Sequence, residues 1–486
     1  MRYIIRNNHD YDGITECIID EMHRQLDIDG GIVFDYGDPN RKRQKDVVYK
    51  ESVLCWRHDN FEMEGIYDPI DREILDAMLK YKSMAMDIMM RECGYNIYRH
   101  DYLENLYYKE LHYWNSLLDQ EKIDFILFMV SPHHIGEYIL YALAQCKNIK
   151  TFLMEGIMIP GFFCISRSIE NMGEVVESAF SQLRSSDKKI DLNVEFDTFY
   201  NKALEKRVFS PEEKKIDKKI AKNILSAFIR PANVGRRFLK IIAVLVFPRY
   251  SQNRKFEFSN AVRLFKLLVV AIFHNLLMDN AKEYKRYALQ PDFKRPYIYF
   301  ALQVTPEENT MPRAGEYKNQ RLSVETLAKG AGEVGVQVYV KEHWTQYHRE
   351  KGFYRALSEI PNVFLIDLEI NSGELIENAM AVSTQTGTCM LEGMLHKKNV
   401  LYFGDGAVYK GIPGSFRIDS TEQLSSILKK IESGEVDFSQ EDAVLYLKAL
   451  QSVCIEGYID SLEECPKSYD KLFSAKRIVS AIKQMW

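Results

Sequence analysis

Short apolar runs alternate with longer amphipathic stretches along the chain, and this alternation predicts two α/β halves. The first half opens with the apolar run RYIIRN, a predicted strand, which is followed by a polar, aromatic-rich stretch that we predict to be helical. Two strand-length runs, Phe125–Val130 and Lys150–Glu155, then flank a helical stretch over Gly136–Gln145. Strand, helix and strand in that order are typical of a parallel βαβ unit.

The second half repeats this pattern more clearly. Apolar runs begin at Tyr297 and Gln337 and recur as NVFLID, AMAVSTQTGT and NVLYFG, with helical stretches such as Gln320–Gly330 between them. Ser420–Gly434 and much of the C-terminal tail are also predicted to be helical. Repeated βαβ units with apolar strands predict a Rossmann-like domain built on a parallel sheet.

Basic residues are concentrated between the two halves. Residues 202–300 contain 22 Lys+Arg and 8 Asp+Glu, a local charge of +14, whereas the whole chain carries −5. This stretch holds two apolar runs, Phe238–Phe247 and Val262–Met278. The first is shorter than the roughly 20 residues that span a bilayer, and the second contains ionisable residues that are costly to bury in lipid. Two interpretations stay open: core helices with solvated Lys/Arg faces, or a helical surface that binds anionic lipid headgroups.

Composition narrows the class of protein. A chain of 486 residues that is 46% hydrophobic can form full cores, which excludes disorder over its whole length. A pI of about 6.2 argues against a bulk-basic nucleic-acid binder, so we expect no nucleic-acid partner. The eight cysteines form no CxxC and are expected to be reduced thiols that serve as small core residues. MRYIIRNNHD lacks the apolar stretch of a signal peptide, and we therefore expect a cytoplasmic protein.

Polar residues follow four predicted strands of the second half, where ligands of open parallel sheets bind. Hydroxyls, a glycine and free helix N–H groups at residues 386–388 suit a phosphate, although an N-cap explains them equally well. The loop glutamates could act as base or nucleophile, or could simply be solvated. The candidates are Gln303, Glu307, Glu308, Lys341, His343, Ser383, Thr384, Thr386, Gly387, Thr388, Glu392, Gly404 and Tyr409.

The first half carries weaker candidates. His133 and His134 follow an apolar strand and could contact an acceptor, and Glu155 ends another strand, where it could supply a second carboxylate for acid/base work. The loop HDYDG, which includes Asp10, has a metal-like spacing, but we expect no metal. Ordinary polar loop chemistry is the alternative for all of these. The chain has no GxGxxG, Walker A, HExxH or GxSxG motif. This disfavours a classical dinucleotide-dependent oxidoreductase, a P-loop NTPase, a zincin metalloprotease and an α/β-hydrolase.

The second half resembles the bacterial capsule-polysaccharide biosynthesis family that includes the Kdo transferases of capsule synthesis. The stretches YFALQVTPEENTMPRAGEYKNQ, VYVKEHWTQY, PNVFLI and VSTQTGTCMLEGMLHKKNVLYFGDGAVY carry the resemblance, over Tyr297 to about Gly414. It implies a GT-B fold, in which two Rossmann-like domains face a cleft and a C-terminal helix crosses back. The implied divisions are an acceptor domain over 1–175, a basic helical insert over 176–295, a nucleotide-sugar domain over 296–435 and returning C-terminal helices over 436–486.

The same resemblance implies an activity. It predicts a glycosyltransferase that uses a nucleotide sugar, CMP-linked as for Kdo, and a glycan or lipid-linked glycan acceptor, with no separate cofactor. Trp344 stands where the family's His-Pro motif has proline. The residues that match donor motifs are Gln303, Ser383, Thr386, Thr388 and His343. The implied catalytic carboxylates are Glu307, with Glu308 next, for the anomeric carbon, and Glu155 for the acceptor hydroxyl. We expect Asp10 as the other acid that could assist that hydroxyl.

Three other functions stay open at this point. One is a sugar-nucleotide epimerase of GT-B form, one is a non-catalytic assembly or export protein of a surface-glycan system, and one is a membrane-peripheral scaffold built on the basic helices. For the transferase, the basic stretch over residues 202–300 would hold the enzyme at the inner face of the cytoplasmic membrane, where a lipid-linked acceptor would be found.

Overall fold

The computed structural model describes residues 1–6, 14–35, 46–51, 69–93, 99–186, 191–204, 280–305, 307–343, 346, 349–457 and 470–486. Three features singled out in the sequence lie outside these residues. They are Asp10, Trp344 and the greater part of the basic stretch, residues 205–279. The described residues form two α/β domains, each built on one sheet.

The sheet of the first domain has the order β3-β2-β1-β4-β5-β6, with β6 antiparallel to β5 and the other pairs parallel. This is the strand order of dinucleotide-binding sheets, whose switch point lies between β1 and β4. The strands are Arg2–Arg6 (β1), Gly30–Asp35 (β2), Val47–Glu51 (β3), Phe125–Phe128 (β4), Lys150–Gly156 (β5) and Phe162–Ser166 (β6). The helices are Ile14–Gln25 (α1), Arg72–Cys93 (α2), His100–Gln120 (α3), Ile135–Cys146 (α4), Glu174–Arg184 (α5) and Val194–Leu204 (α6).

The second domain follows Asn280–Tyr287 (α7) and repeats this topology in an all-parallel sheet of order β9-β8-β7-β10-β11-β12. Its central strands are continuous apolar runs because helices cover both faces of the sheet. The strands are Tyr297–Ala301 (β7), Gln337–Lys341 (β8), Val363–Leu365 (β9), Ala381–Thr384 (β10), Asn399–Tyr402 (β11) and Ser415–Arg417 (β12). The helices are Gln320–Gly332 (α8), Phe353–Ser358 (α9), Ser372–Asn378 (α10), Cys389–Leu395 (α11) and Thr421–Glu432 (α12).

After the second domain the chain returns to the first. Gln440–Val453 (α13) packs on α5, Ile455–Glu456 (β13) pairs antiparallel with β6, and Lys471–Gln484 (α14) packs on α1. The apolar face of α14, which includes Ile478 and Ile482, is fully buried in the core of the first domain. Two Rossmann-like domains joined by a C-terminal crossover are the architecture of a GT-B protein, so the predicted fold class is confirmed.

The predicted elements agree with the observed ones to within one or two residues at β4, α4 and β5. The stretch that we predicted to be helical after β1 contains α1, α2 and α3, but it also contains β2 and β3. Those strands are short, and β2 offers only a few apolar residues between polar neighbours, so the helical pattern around them masks their signal. Within the described part of the chain, no helix is both long and apolar enough to cross a bilayer.

Candidate functional site

The switch point of the second sheet lies between β7 and β10, and two loops meet there. Gln303, which follows β7, accepts a hydrogen bond at Oε1 from the backbone N–H of Thr386 at 3.1 Å. On its other side, the N–H of Gln303 donates to Oε1 of Gln320 at 2.7 Å, and Nε2 of Gln320 donates to the carbonyl of Gln303 at 2.8 Å. Gln303 is therefore a buried residue whose hydrogen bonds hold together the two loops that line this edge.

Glycines let the loops after β10 and β11 approach their neighbours. A Cβ on Gly387 would lie 2.7 Å from Nε2 of Gln303, and a Cβ on Gly404 would lie 2.9 Å from Cα of Ala314. The hydroxyl of Thr386 donates to the carbonyl of Asn309 at 2.8 Å. The loops that follow β7, β10 and β11 are thus packed directly against one another, and these glycines are needed for that packing.

The loop after β7 also carries the predicted carboxylates. Oε2 of Glu307 accepts hydrogen bonds from the backbone N–H of Asn309 at 3.2 Å and from its Nδ2 at 3.1 Å, so this carboxylate is turned back on its own loop. Glu308 Oε1 instead accepts from Nη2 of Arg313 at 2.5 Å. The side chain of Arg313 is only 4% exposed, and its Nη1 also donates to Oδ1 of Asn309 at 3.2 Å.

Arg313 joins the two domains. Its Nη2 forms a second ion pair with Glu155, which lies at the carboxyl end of β5 in the first domain. Because Glu155 and Glu308 bind the same nitrogen, their nearest oxygens lie no more than two hydrogen-bond lengths apart. Burial raises the pKa of Glu155 above its usual range, while Arg313 opposes the shift by favouring the ionised carboxylate. One carboxyl from each domain therefore meets at a shared cation.

Sequence reasoning did not single out Arg313. It lies in the stretch PEENTMPR, whose two glutamates attracted attention as candidate nucleophiles, and a single arginine in a polar loop has no periodic signal. Its partner Glu155 belongs to the other domain and lies 158 positions earlier in the sequence, so only the docking of the domains identifies the group.

A buried ion pair follows β8. Glu342 accepts two hydrogen bonds from Arg349, from Nε to Oε2 and from Nη2 to Oε1, both at 2.7 Å. The hydroxyl of Tyr354 donates a third to Oε2 at 2.7 Å. Nη2 of Arg349 also donates to the carbonyl of Gln303 at 2.8 Å, which ties the pair to the switch point. Sequence reasoning missed Arg349, because nothing in the loop after the KEH stretch distinguishes it from a solvated arginine.

His343 and Lys341 lie on either side of Glu342. Burial lowers the pKa of His343, with Glu342 opposing the shift and Arg349 adding to it, so the imidazole is neutral at pH 7. Nζ of Lys341 donates to the carbonyl of Ile370 and, at 3.1 Å, to Oγ of Ser372 at the start of α10. The donor-binding roles of both residues stay predictions.

Two other predicted donor residues make structural contacts. Oγ of Ser383 donates to the carbonyl of Leu401 at 3.0 Å, which links β10 to β11. The hydroxyl of Tyr409 is buried and accepts a hydrogen bond from the backbone N–H of Met158 at 2.9 Å. Tyr409 therefore bridges the two domains, and its role in donor binding stays a prediction.

The start of α11 carries the remaining candidates. Oγ1 of Thr384 is buried and has no hydrogen-bond partner among the residues that the structure describes. Thr388 is the N-cap residue of α11 and is exposed, with no side-chain cap hydrogen bond. Burial raises the pKa of Glu392 to about 7, so this carboxyl titrates near neutral pH.

In the first domain, His133 and His134 follow β4 at the switch point. Their ring centroids are 4.3 Å apart, and Nδ1 of His133 lies 2.7 Å from the carbonyl of Ser131. The possible ligand atoms of both histidines and Glu137 lie within 4.8 Å of one another, close enough to hold a metal ion. Arg6 forms an ion pair with Glu137 at 3.3 Å, and its positive charge disfavours a second cation there. Acceptor binding by the histidines stays a prediction.

No family model matches the chain, and no curated protein matches it. Comparison with solved structures aligns it with KpsC β-Kdo 2,7 transferase of Thermosulfurimonas dismutans at 10% identity, covering 83% of this chain and 96% of that one, with a TM-score of 0.31. UDP-GlcNAc 2-epimerase of Methanocaldococcus jannaschii, in complex with UDP-GlcNAc and UDP, aligns at 11% identity over 93% of this chain and 100% of that one, with a TM-score of 0.28. S. aureus MnaA with UDP aligns at 12% identity over 100% and 96%, with a TM-score of 0.27.

Similarities at this level carry no argument about function. The GT-B assignment rests on the strand order of the two sheets and on the C-terminal crossover of this chain.

Proposed function

We propose that the protein is a glycosyltransferase that moves a sugar, a sugar acid such as Kdo, from a nucleotide donor to a surface-polysaccharide or glycolipid acceptor. CMP is the proposed nucleotide. The observation that carries the proposal is the meeting of Glu155 and Glu308 on Arg313, because it brings one carboxyl from each domain to the cleft of a GT-B fold. The sequence resemblance to capsule-polysaccharide enzymes supports the same activity.

Glu155 is the proposed acid or base for the acceptor hydroxyl. A carboxyl whose pKa is raised by burial exchanges protons closer to neutral pH than an exposed glutamate does, and this suits general acid–base catalysis. Asp10 is the other acid proposed for this step. Glu308 is the proposed carboxylate for the anomeric carbon, because it pairs with Arg313 at the point where the two domains meet. Retaining glycosidases hold their two carboxyl groups about 5 to 5.5 Å apart, and the shared nitrogen favours a short separation here.

Glu307, the first candidate from the sequence, is the second candidate here for the anomeric carbon. Its carboxylate is held by Asn309 within the loop, so it would have to exchange those two hydrogen bonds for the substrate. The nucleotide would lie along the edge formed by the loops after β7, β8, β10 and β11. There, a neutral His343 would donate a hydrogen bond to the donor phosphate, and Thr388 would offer an exposed hydroxyl.

The proposed acceptor is a glycan or a lipid-linked glycan at the inner face of the cytoplasmic membrane. The basic stretch over residues 202–300 supports this location through its charge of +14, and His133 and His134 are proposed acceptor contacts. Sedimentation with vesicles that contain anionic lipid tests the location. Binding should fall as salt is raised, and failure to bind at low salt would exclude this role for the stretch.

Nucleotide selectivity is the first test of the activity. CMP, UDP, GDP and ADP are compared by thermal shift on the wild type, on His343→Ala and on His100→Ala, which alters an exposed histidine at the start of α3. Ligand at a hundred times its Kd stabilises a protein by about 2.7 kcal/mol. We expect a CMP-selective shift that is lost only in His343→Ala. A shift with UDP or GDP alone would mean that the donor sugar is linked to that nucleotide and not to CMP. No shift with any nucleotide would refute the proposal.

Transfer itself separates the proposal from the alternatives. With a labelled nucleotide sugar and a glycan acceptor, the transferase should release nucleotide only when the acceptor is present. An epimerase would convert the sugar without an acceptor, and a non-catalytic protein would do neither. Glu155→Gln and Glu308→Gln should each lower transfer by at least about a hundredfold, whereas Glu316→Gln, at a carboxylate that is 84% exposed, should leave it unchanged.

A further inference from the structure

Two of the cysteines are in contact where the C-terminal crossover re-enters the first domain. Sγ of Cys164, in β6, lies 2.9 Å from Sγ of Cys454, the residue that separates α13 from β13. The sequence offered no hint of this pair, because the two residues are 290 positions apart and neither belongs to a CxxC motif.

The strand register explains the contact. In the antiparallel pair of β13 and β6, Ile455 lies opposite Phe163 and Glu456 lies opposite Phe162. Continuing that register by one residue places Cys454 opposite Cys164. Directly opposed residues of antiparallel strands have Cα atoms about 4.5 to 5.5 Å apart, which lies inside the range of about 4.4 to 6.8 Å that a disulfide requires. The backbone is therefore already in place for a covalent bond between the two sulfurs.

We propose that Cys164 and Cys454 form a thiol-oxidation site, which hydrogen peroxide converts into a reversible disulfide that pins the C-terminal crossover to the first domain. The inference does not depend on the proposed glycosyltransferase activity. It uses only the contact between the two sulfurs and the path of the chain.

The two thiols differ in access, and this assigns the order of the steps. Cys164 is partly exposed and lines a pocket between the domains, whereas Cys454 is buried. The sulfur of Cys164 attacks peroxide, an S–O bond forms as the O–O bond breaks, and one water leaves. Cys454 then attacks the sulfenic sulfur, the S–S bond forms, and the hydroxyl leaves as a second water. The two thiols are oxidised, and peroxide is reduced to two waters.

The disulfide would act on the segment that holds the domains together. Cys454 lies between α13, which packs on α5, and β13, which extends the first sheet. Cys164 lies opposite Glu155 in the β5–β6 ladder, and both line the same pocket with Gly173 and Val408. Oxidation would therefore fix one wall of the cleft beside Glu155 and restrain the crossover when the protein unfolds.

The test uses the full chain, reduced and then treated with hydrogen peroxide. Remaining thiols are alkylated, and the protein is digested and mapped by mass spectrometry without reductant. We expect a cross-linked peptide that contains Cys164 and Cys454, that disappears with dithiothreitol, and that is absent from Cys164→Ser and Cys454→Ala. Cys17→Ser, at a partly buried thiol of α1, should keep it. The variants are checked for folding by circular dichroism, and Cys164→Ser, at the less buried position, serves if Cys454→Ala fails to fold.

The second measurement is the melting temperature. The oxidised wild type should melt several degrees above the reduced protein, because the cross-link closes a long loop in the unfolded chain, and Cys164→Ser should show no such difference. The inference is overturned if Cys164 and Cys454 are recovered as alkylated thiols or in bonds to other cysteines. It is equally overturned if the bond forms and the melting temperature does not rise.

Discussion

The buried pair of Glu342 and Arg349 supports the sharpest prediction about stability. The Arg349→Met substitution keeps a long apolar side chain but removes the guanidinium. Glu342 then loses its counter-charge and the two hydrogen bonds of 2.7 Å that Arg349 donates to it. The carbonyl of Gln303 loses the hydrogen bond that Arg349 donates there. The side chain of Glu342 is only 4% exposed, so water cannot readily replace the lost hydrogen bonds.

The expected magnitude follows from this burial. Breaking a buried ion pair by removing one partner costs about 3 to 5 kcal/mol, because an uncompensated charge stays buried. If the second domain, of roughly 140 residues, unfolds as a unit, this free energy corresponds to a fall in Tm of about 10 to 17 °C. Arg355→Met is the matched control. Arg355 pairs with Glu359 at 3.6 Å, but both side chains are about two-thirds exposed, so its loss should cost less than about 1 kcal/mol.

The assay is thermal unfolding of the wild type, Arg349→Met, Arg355→Met and the double variant Glu342→Met/Arg349→Met, followed by fluorescence at pH 7. The double variant should recover part of the loss, because it buries no charge. A Tm for Arg349→Met equal to that of Arg355→Met would refute the reasoning, since it would mean that Glu342 finds water or another partner when the arginine is absent.

Two further predictions concern the edge of the second sheet. Burial raises the pKa of Glu392 from 4.5 to about 7, so the folded state binds more protons than the unfolded state between these values, and stability falls as pH rises through them. The stability of Glu392→Gln relative to the wild type should therefore increase by about 2 to 3 kcal/mol between pH 5 and pH 8. Equal pH profiles of Tm for the two proteins would contradict this. Gly387→Ala places a Cβ 2.7 Å from Nε2 of Gln303, so it should lower Tm by several degrees. Gly332→Ala is the control, because its Cβ would meet nothing closer than 3.9 Å, and it should not lower Tm. An unchanged Tm for Gly387→Ala would show that Gln303 can move aside.

The elements of this protein were largely predictable because their signals are local. The run FILF is apolar at every position and is a central strand, and the same holds for the run that becomes β7. Polar residues that follow such strands lie at one edge of the sheet, since parallel strands share their carboxyl ends; their binding roles stay predictions. The individual contacts were not predictable. Gln303 is buried and accepts a hydrogen bond from the backbone of Thr386, and Lys341 donates a hydrogen bond to Ser372 at the start of α10.

By itself, the sequence determined the α/β class, the position of most strands and helices, and the location of a polar edge in the second half. These depend on the periodicity of apolar residues and on the chemistry of neighbours in the chain. Only the tertiary structure decided that Glu155 and Glu308 share Arg313, that Arg349 neutralises Glu342, and that Cys164 meets Cys454. Each of these contacts depends on the docking of elements that are distant in sequence. The residues around a charged side chain or a cysteine do not indicate which distant residue will become its partner in the folded protein.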